Sequence, residues 1–152
     1  MAKEIERKFL VDGTTYRDLS CSRVVISQGY LCRDPERTAR VRIFGERACL
    51  TVKSASVGPV RDEWEYSIPV DDAARMMTLC TGRIIRKTRY IVDAGDGLRW
   101  EVDEFDGDLA PLVLAEIELP SASYPLPTLP GFIGREVTGE PRYFNSALAA
   151  GD

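Results

Sequence analysis

Charged residues recur at every second position in one stretch of this chain after another, and that spacing leaves little choice of fold. Glu4, Glu6 and Lys8 alternate with Ile5 and Phe9; Arg40 and Arg42 alternate with Val41 and Ile43. Arg61, Glu63 and Glu65 stand in phase against Trp64 and Tyr66, and Lys87 is in phase with Arg89, Glu101 with Asp103, and Glu116 with Glu118. A period of two is the period of a strand, in which successive side chains point to opposite faces. The pattern predicts strands over residues 3–11, 23–33, 38–44, 47–54, 61–70, 83–93, 98–105 and 113–119. Tight glycine turns such as Phe44-Gly45-Glu46 and the run Asp93 to Gly97 join neighbouring stretches, so the sheet is antiparallel and either curls or closes.

Helical signals are fewer. Residues 71–80 open on Asp71-Asp72 as a cap and continue with Ala, Met and Leu; residues 145–150 form a short helix capped by Asn145. The proline-rich run 124–130 reads as a connection or an interrupted helix. Nothing divides the chain, so all 152 residues are expected to form a single domain.

A charge pair at spacing two is ordinarily a wet face, and periodicity alone fits a lumen and a solvent face equally well. What distinguishes this chain is sign segregation. Glu-rich and Arg/Lys-rich strands are distinct, so a closed barrel would bring opposite charges together across its interior. Carboxylates there suit a hard divalent cation, and Arg and Lys suit phosphate oxygens. The bland alternative is an ion-paired barrel whose acids only neutralise its arginines.

Composition narrows the chemistry. There is no histidine, which removes Ser-His-Asp and Cys-His catalysis and any histidine-held metal. The cysteines, Cys21, Cys32, Cys49 and Cys80, form no CxxC pair, so reduced thiols are expected. The net charge of -4 argues against a general nucleic-acid binder. No stretch is apolar enough to span a bilayer, and the first residues lack a signal-peptide run, so the protein is expected in the cytoplasm.

The opening Glu4-Ile5-Glu6-Arg7-Lys8 is an ExExK motif. It is followed in order by Gln28-Gly29-Tyr30-Leu31, Arg40-Val41-Arg42, Leu50-Thr51-Val52-Lys53, Glu63-Trp64-Glu65, Lys87-Thr88-Arg89-Tyr90, Glu101-Val102-Asp103, Glu116-Ile117-Glu118 and the closing Glu136 to Tyr143. The ensemble resembles the CYTH superfamily of triphosphate tunnel metalloenzymes, in particular its short bacterial inorganic tripolyphosphatases. The resemblance implies a mainly β (α+β) protein: a closed eight-stranded antiparallel barrel forming a tunnel open at both ends, with a few helices outside. It implies Mg²⁺ or Mn²⁺ as cofactor and a small-molecule triphosphate as partner, bound by a monomer or homodimer. The reaction implied is hydrolysis of a linear triphosphate, most simply tripolyphosphate. An adenylate cyclase, a thiamine or nucleoside triphosphatase, and a non-catalytic polyphosphate sensor are the alternatives.

By the same resemblance, Glu4, Glu6, Glu116 and Glu118 hold the metal, with Glu63 and Asp103 as further candidates. Lys8, Arg40, Arg42, Lys53, Lys87 and Arg89 bind the phosphate chain, and Arg61 ranks below them. A Lys8–Tyr30 pair is the implied general base, with a metal-activated water or a glutamate as alternatives. Trp64, Phe9, Phe44 and Met76-Met77 are expected to pack between barrel and helices, and Tyr143 and Asn145 to anchor the C-terminal segment near the tunnel mouth.

Overall fold

The computed structural model describes residues 2–150. Nine strands form one antiparallel sheet: β1 (Ala2–Val11), β2 (Ser22–Asp34), β3 (Arg37–Phe44), β4 (Arg47–Ser54), β5 (Val60–Ile68), β6 (Thr81–Gly95), β7 (Leu98–Phe105), β8 (Val113–Glu118) and β9 (Ile133–Glu136). Their order is β5-β4-β3-β2-β6-β7-β8-β1-β9, and β5 also pairs with β1. That pairing closes β1–β8 into a barrel with no free edge among them. β1 serves two partners on one edge: Ala2 to Ile5 pair with β5, and Phe9 to Val11 with β9. Between them the Glu6 amide donates to the Pro59 carbonyl at 3.1 Å and the Lys8 amide to Thr138 Oγ1 at 2.9 Å.

The barrel is inverted relative to an ordinary sandwich, with charge inside and the apolar residues facing out. Its exterior must therefore be clad. The largest apolar cluster joins Phe9, Tyr90, Val92, Trp100, Val102, Ala115 and Ile117 from the outer faces of β1, β6, β7 and β8. Tyr16 of α1 (Thr15–Leu19) and Phe132, ahead of β9, cover it. Tyr16 meets Tyr90 and Phe132 edge-to-face, and its hydroxyl donates to Glu104. On the opposite side α2 (Val70–Met77) lays Ala73, Met76 and Met77 over Val41 and Ala48. These three positions recur at helical spacing, which gives this short segment a single apolar face.

The strand expectations match to within a few residues, while several other elements differ. α2 begins after Pro69, and Asp71 and Asp72 sit in its first turn without a side-chain cap bond, where they complement the helix dipole instead. The C-terminal helix, α3 (Asn145–Leu148), follows Phe144, and Asn145 does not cap it. α1 and β9 lie in stretches with no periodic signal.

Among the described residues, one end of the expected tunnel is filled. At that end the lumen-facing Leu10, Tyr30, Ile85, Phe105 and Leu114 pack together with Tyr143, Leu148 and Ala149. The C-terminal segment thus stoppers the barrel and turns a tunnel into a cup. Gly82, at φ +74°, lies so close to the Ala149 carbonyl that a Cβ would collide with it, and the Arg83 amide donates to that same oxygen at 2.6 Å.

Trp100 is fully buried and meets Phe9 edge-to-face at 5.5 Å. Trp100→Ala is expected to cost about 3–5 kcal/mol of stability, measured by urea unfolding. A loss below ~1 kcal/mol would mean that the outer cladding does not hold the barrel closed.

Candidate functional site

The cup encloses about 750 Å³. Strand register decides what lines it. Lumen-facing positions of β1 and β8 place Glu6 directly opposite Glu118 and Lys8 opposite Glu116; β7 and β8 place Glu101 opposite Glu116. β6 and β7 set Arg89 against Asp103, and β4 and β5 set Lys53 against Glu63. Arg40 and Arg42 enter from β3, facing Tyr30 and Gln28 of β2. Acids therefore dominate the β1–β8 wall, and arginines the β3 side.

Glu4, Glu6, Tyr30, Arg40, Arg42, Lys53, Glu63, Arg89, Glu116 and Glu118 all line the cavity. Lys8, Lys87 and Asp103 lie just behind it, buried and paired with their neighbours. Lys53 Nζ reaches Glu4 at 2.7 Å and Glu63 at 3.4 Å. Lys8 Nζ lies 3.4 Å from Glu116 and donates to the Tyr143 carbonyl at 3.0 Å. Asp103 accepts from Lys87 at 2.7 Å and from Arg89 at 2.8 and 2.9 Å, so its oxygens are already committed to cations.

Other groups are left without a counter-charge. Glu6 and Glu118 form no ion pair among the described residues. Burial together with the charges of Glu116 and Glu4 pushes Glu6 up to about 8. Burial and the neighbouring Glu4 raise Glu63 to about 7, whereas Glu4, with burial outweighed mainly by Lys53, is held at about 2. On the basic side, burial and repulsion from Arg40 and Arg89 lower Arg42 to about 10. Burial, with Arg89 and Arg42 nearby, brings Lys87 down to about 7 against the pull of Asp103. The Arg40 Nε is buried and has no hydrogen-bond partner among the described residues. Acids short of a cation and cations short of an anion share one cavity.

Residues 2–125 match the model of the CYTH domain. The chain is 47% identical to an inorganic triphosphatase of Acetivibrio thermocellus, over 97% of this chain and 94% of that protein. It is 38% identical to an inorganic triphosphatase of Nitrosomonas europaea, over 96% of each. The crystal structure of the inorganic triphosphatase NE1496 superposes with a TM-score of 0.65 at 35% identity, covering 100% of this chain and 97% of that one. The chain belongs to the CYTH family.

The CYTH fold implies a metal, and the lumen chemistry fits one. Among the described residues no three acids are gathered into a ready-made cage, but Mg²⁺ is ordinarily held by one or two carboxylates, waters and substrate phosphates. Glu6 and Glu118 could supply such a pair: both offer oxygen ligands, and they are directly opposed across β1 and β8. Asp103 is the poorest fit among the candidates, being saturated by Lys87 and Arg89.

Arg61, expected to rank below the other cations, lines the cavity in phase with Glu63 and donates to Glu4 at 3.3 Å. Uncharged residues, which the alternation of charges does not display, also line or back it. Phe44 lies at the cavity wall with the Arg47 guanidinium 4.9 Å above its ring, not under a helix as expected. Gln28, fully buried, accepts from Arg42 Nε at 2.9 Å. Asn145, expected near the tunnel mouth, lines the inner, stoppered end instead. Neither amide carries a charge for the alternation to reveal.

Glu6 also sets a pH dependence in the absence of metal. Its ordinary value of 4.5 applies to the unfolded chain and about 8 to the fold, so folding takes up a proton between those values and stability falls as pH rises through that window. In EDTA, Glu6→Gln is expected to raise the melting temperature more at pH 8.5 than at pH 5 (two points chosen to bracket roughly that window). An equal change at both would mean that Glu6 is not crowded by its neighbours.

Proposed function

We propose that this chain hydrolyses a linear triphosphate, most simply inorganic tripolyphosphate to pyrophosphate and phosphate, with Mg²⁺ or Mn²⁺. The observation that carries the reading is the double shortage in the cavity: among the described residues Arg42 has no ion pair and Arg40 meets only Glu65 at 3.8 Å, while Glu6 and Glu118 lack a cation. A metal–polyphosphate complex supplies both at once. The inorganic triphosphatases named above, alike over nearly their whole length, support the same reaction.

Each side chain then has a task. Arg40, Arg42, Lys53 and Arg89 hold the phosphate oxygens, the arginines by forked donation. Lys87, buried behind the wall, fixes Asp103, which in turn aligns Arg89 through two hydrogen bonds. Glu6 and Glu118, joined by Glu4, Glu63 or Glu116 as their lysines turn to phosphate, would hold the metal. When bound, the metal withdraws charge from phosphate oxygens and helps to orient water. Lys8 acts as a charged donor rather than a base, because Glu116 and Glu6 outweigh its burial and keep it protonated. The Tyr30 hydroxyl, without a partner among the described residues, would orient the attacking water. The water oxygen bonds to the terminal phosphorus as the P–O bridge to pyrophosphate breaks. One water proton stays on the phosphate formed and the other passes to solvent.

A second reading is an organic triphosphate, favoured by a specific feature. Val24, Ile26, Ile91 and Phe44 give one side of the cavity an apolar lining that tripolyphosphate does not need. Free thiols at all four cysteines suit a reducing compartment, and we place the reaction in the cytoplasm. Among the described residues no helix is long and apolar enough to cross a membrane.

The test is phosphate release from tripolyphosphate, ATP, thiamine triphosphate and pyrophosphate with Mg²⁺, Mn²⁺ or EDTA, with cyclic AMP followed in parallel. Release fastest on tripolyphosphate and abolished by EDTA is expected. Cyclic AMP formed from ATP, or no turnover on any substrate, would overturn the proposal. With Glu118→Ala, half-maximal activity should need roughly tenfold or more metal; an unchanged requirement would remove Glu118 from the metal site.

A further inference from the structure

The C-terminal stopper does more than close the barrel. Tyr143 offers its carbonyl to Lys8 Nζ at 3.0 Å, and Asn145 Oδ1 lies 3.2 Å from Lys87 Nζ and 3.3 Å from Gln28 Nε2. The orientation of the Asn145 amide is fixed twice over. Paired with the Asp103 carboxylate at 2.7 Å, Lys87 is an ammonium and only donates, so the atom facing it is the carbonyl oxygen. A guanidinium also only donates, so Arg42 Nε takes Gln28 Oε1 and leaves Gln28 Nε2 to donate to Asn145. Both routes put Oδ1 toward the wall and Nδ2 away from it.

Lys87 and Gln28 do not line the cavity, whereas Asn145 does. Asn145 Nδ2 has no hydrogen-bond partner among the described residues, and it is not one of the buried polar atoms left without one. A donor held rigidly from behind, open in front and set at the inner end of a cation-rich cup is built to meet an acceptor.

We propose that Asn145 is a substrate-contacting residue, donating from Nδ2 to the inner end of the bound phosphate chain while its Oδ1 positions Lys87. The proposal rests on the polyphosphate reading above. It makes the C-terminal segment part of the binding site: a neutral donor adds a hydrogen bond to phosphate without adding repulsion to a cluster in which Arg42 and Lys87 already crowd. It also explains why Asn145 spends its side chain inward and leaves α3 uncapped.

Two substitutions separate the roles. Asn145→Asp keeps an acceptor for Lys87 and Gln28 but turns a carboxylate oxygen toward the substrate. Asn145→Ala removes donor and acceptor without adding charge. The measurement is calorimetric binding of sodium tripolyphosphate in EDTA, where nothing turns over, with melting temperatures taken alongside. Both variants are expected to lose affinity about tenfold or more, the value of one hydrogen bond to a charged group, with Asn145→Asp melting no lower than the parent chain. Wild-type affinity in either variant would overturn the proposal, as would affinity lost only in step with lost melting temperature. A parent chain that fails to bind tripolyphosphate would bring down this inference together with the polyphosphate reading, whereas normal parent binding with unaffected variants removes Asn145 alone.

Discussion

Like charges crowded inside a closed strand barrel are the constraint on which the rest of this structure depends. Glu6 faces Glu118 and Glu101 faces Glu116 across paired strands, while Arg40, Arg42 and Arg89 share the same interior. Internal pairing relieves part of the strain: Lys53 takes Glu4, Lys8 takes Glu116, and Lys87 and Arg89 take Asp103. It does not relieve all of it, since Glu6 remains pushed up and Arg42 pushed down. The residue of unmet charge on both sides is the chemical description of a receptor for a polyanion carrying a cation.

Such an interior can be tolerated only if the barrel is held from outside. Trp100, Phe9, Val102 and Ile117 form that support beneath Tyr16 and Phe132, with α2 doing the same over β3 and β4. Closure of β5 onto β1 and the stopper of Tyr143, Leu148 and Ala149 then limit access to one end. Every ionic interaction in the cup is strengthened by that exclusion of water. The fold and the charge pattern are thus one design: stability is located on the outer face of each strand, and function on the inner.

Much of this was legible in the sequence because a strand's period of two writes both faces into the chain. The alternation of Glu4-Glu6-Lys8 with Ile5-Arg7-Phe9 located β1 and its phase, and the same holds for β3, β7 and β8. Alternation cannot say which face is the lumen, and there the family motifs supplied the direction. α1 and β9 were not legible, since five- and four-residue elements depend on the surface they cover rather than on their own periodicity. The stopper was hidden for a related reason: Leu10, Ile85 and Leu114 are ordinary strand residues until Leu148 and Ala149 meet them across the barrel. Phe44 and Gln28 carry no charge for the alternation to display, and Asn145, expected near the tunnel mouth, comes to the inner end of the cavity only through long-range packing of the C-terminal segment.

That the unpaired acids of β1 and β8 hold a metal while the arginines of β3 hold a phosphate chain is tested by diffraction from crystals soaked with Mn²⁺ and tripolyphosphate, recorded at the manganese edge. An anomalous peak is expected against Glu6 and Glu118, with the phosphate chain extending from it toward Arg40 and Arg42. Manganese bound only on the outer surface, or phosphate density lying away from those arginines, would contradict it.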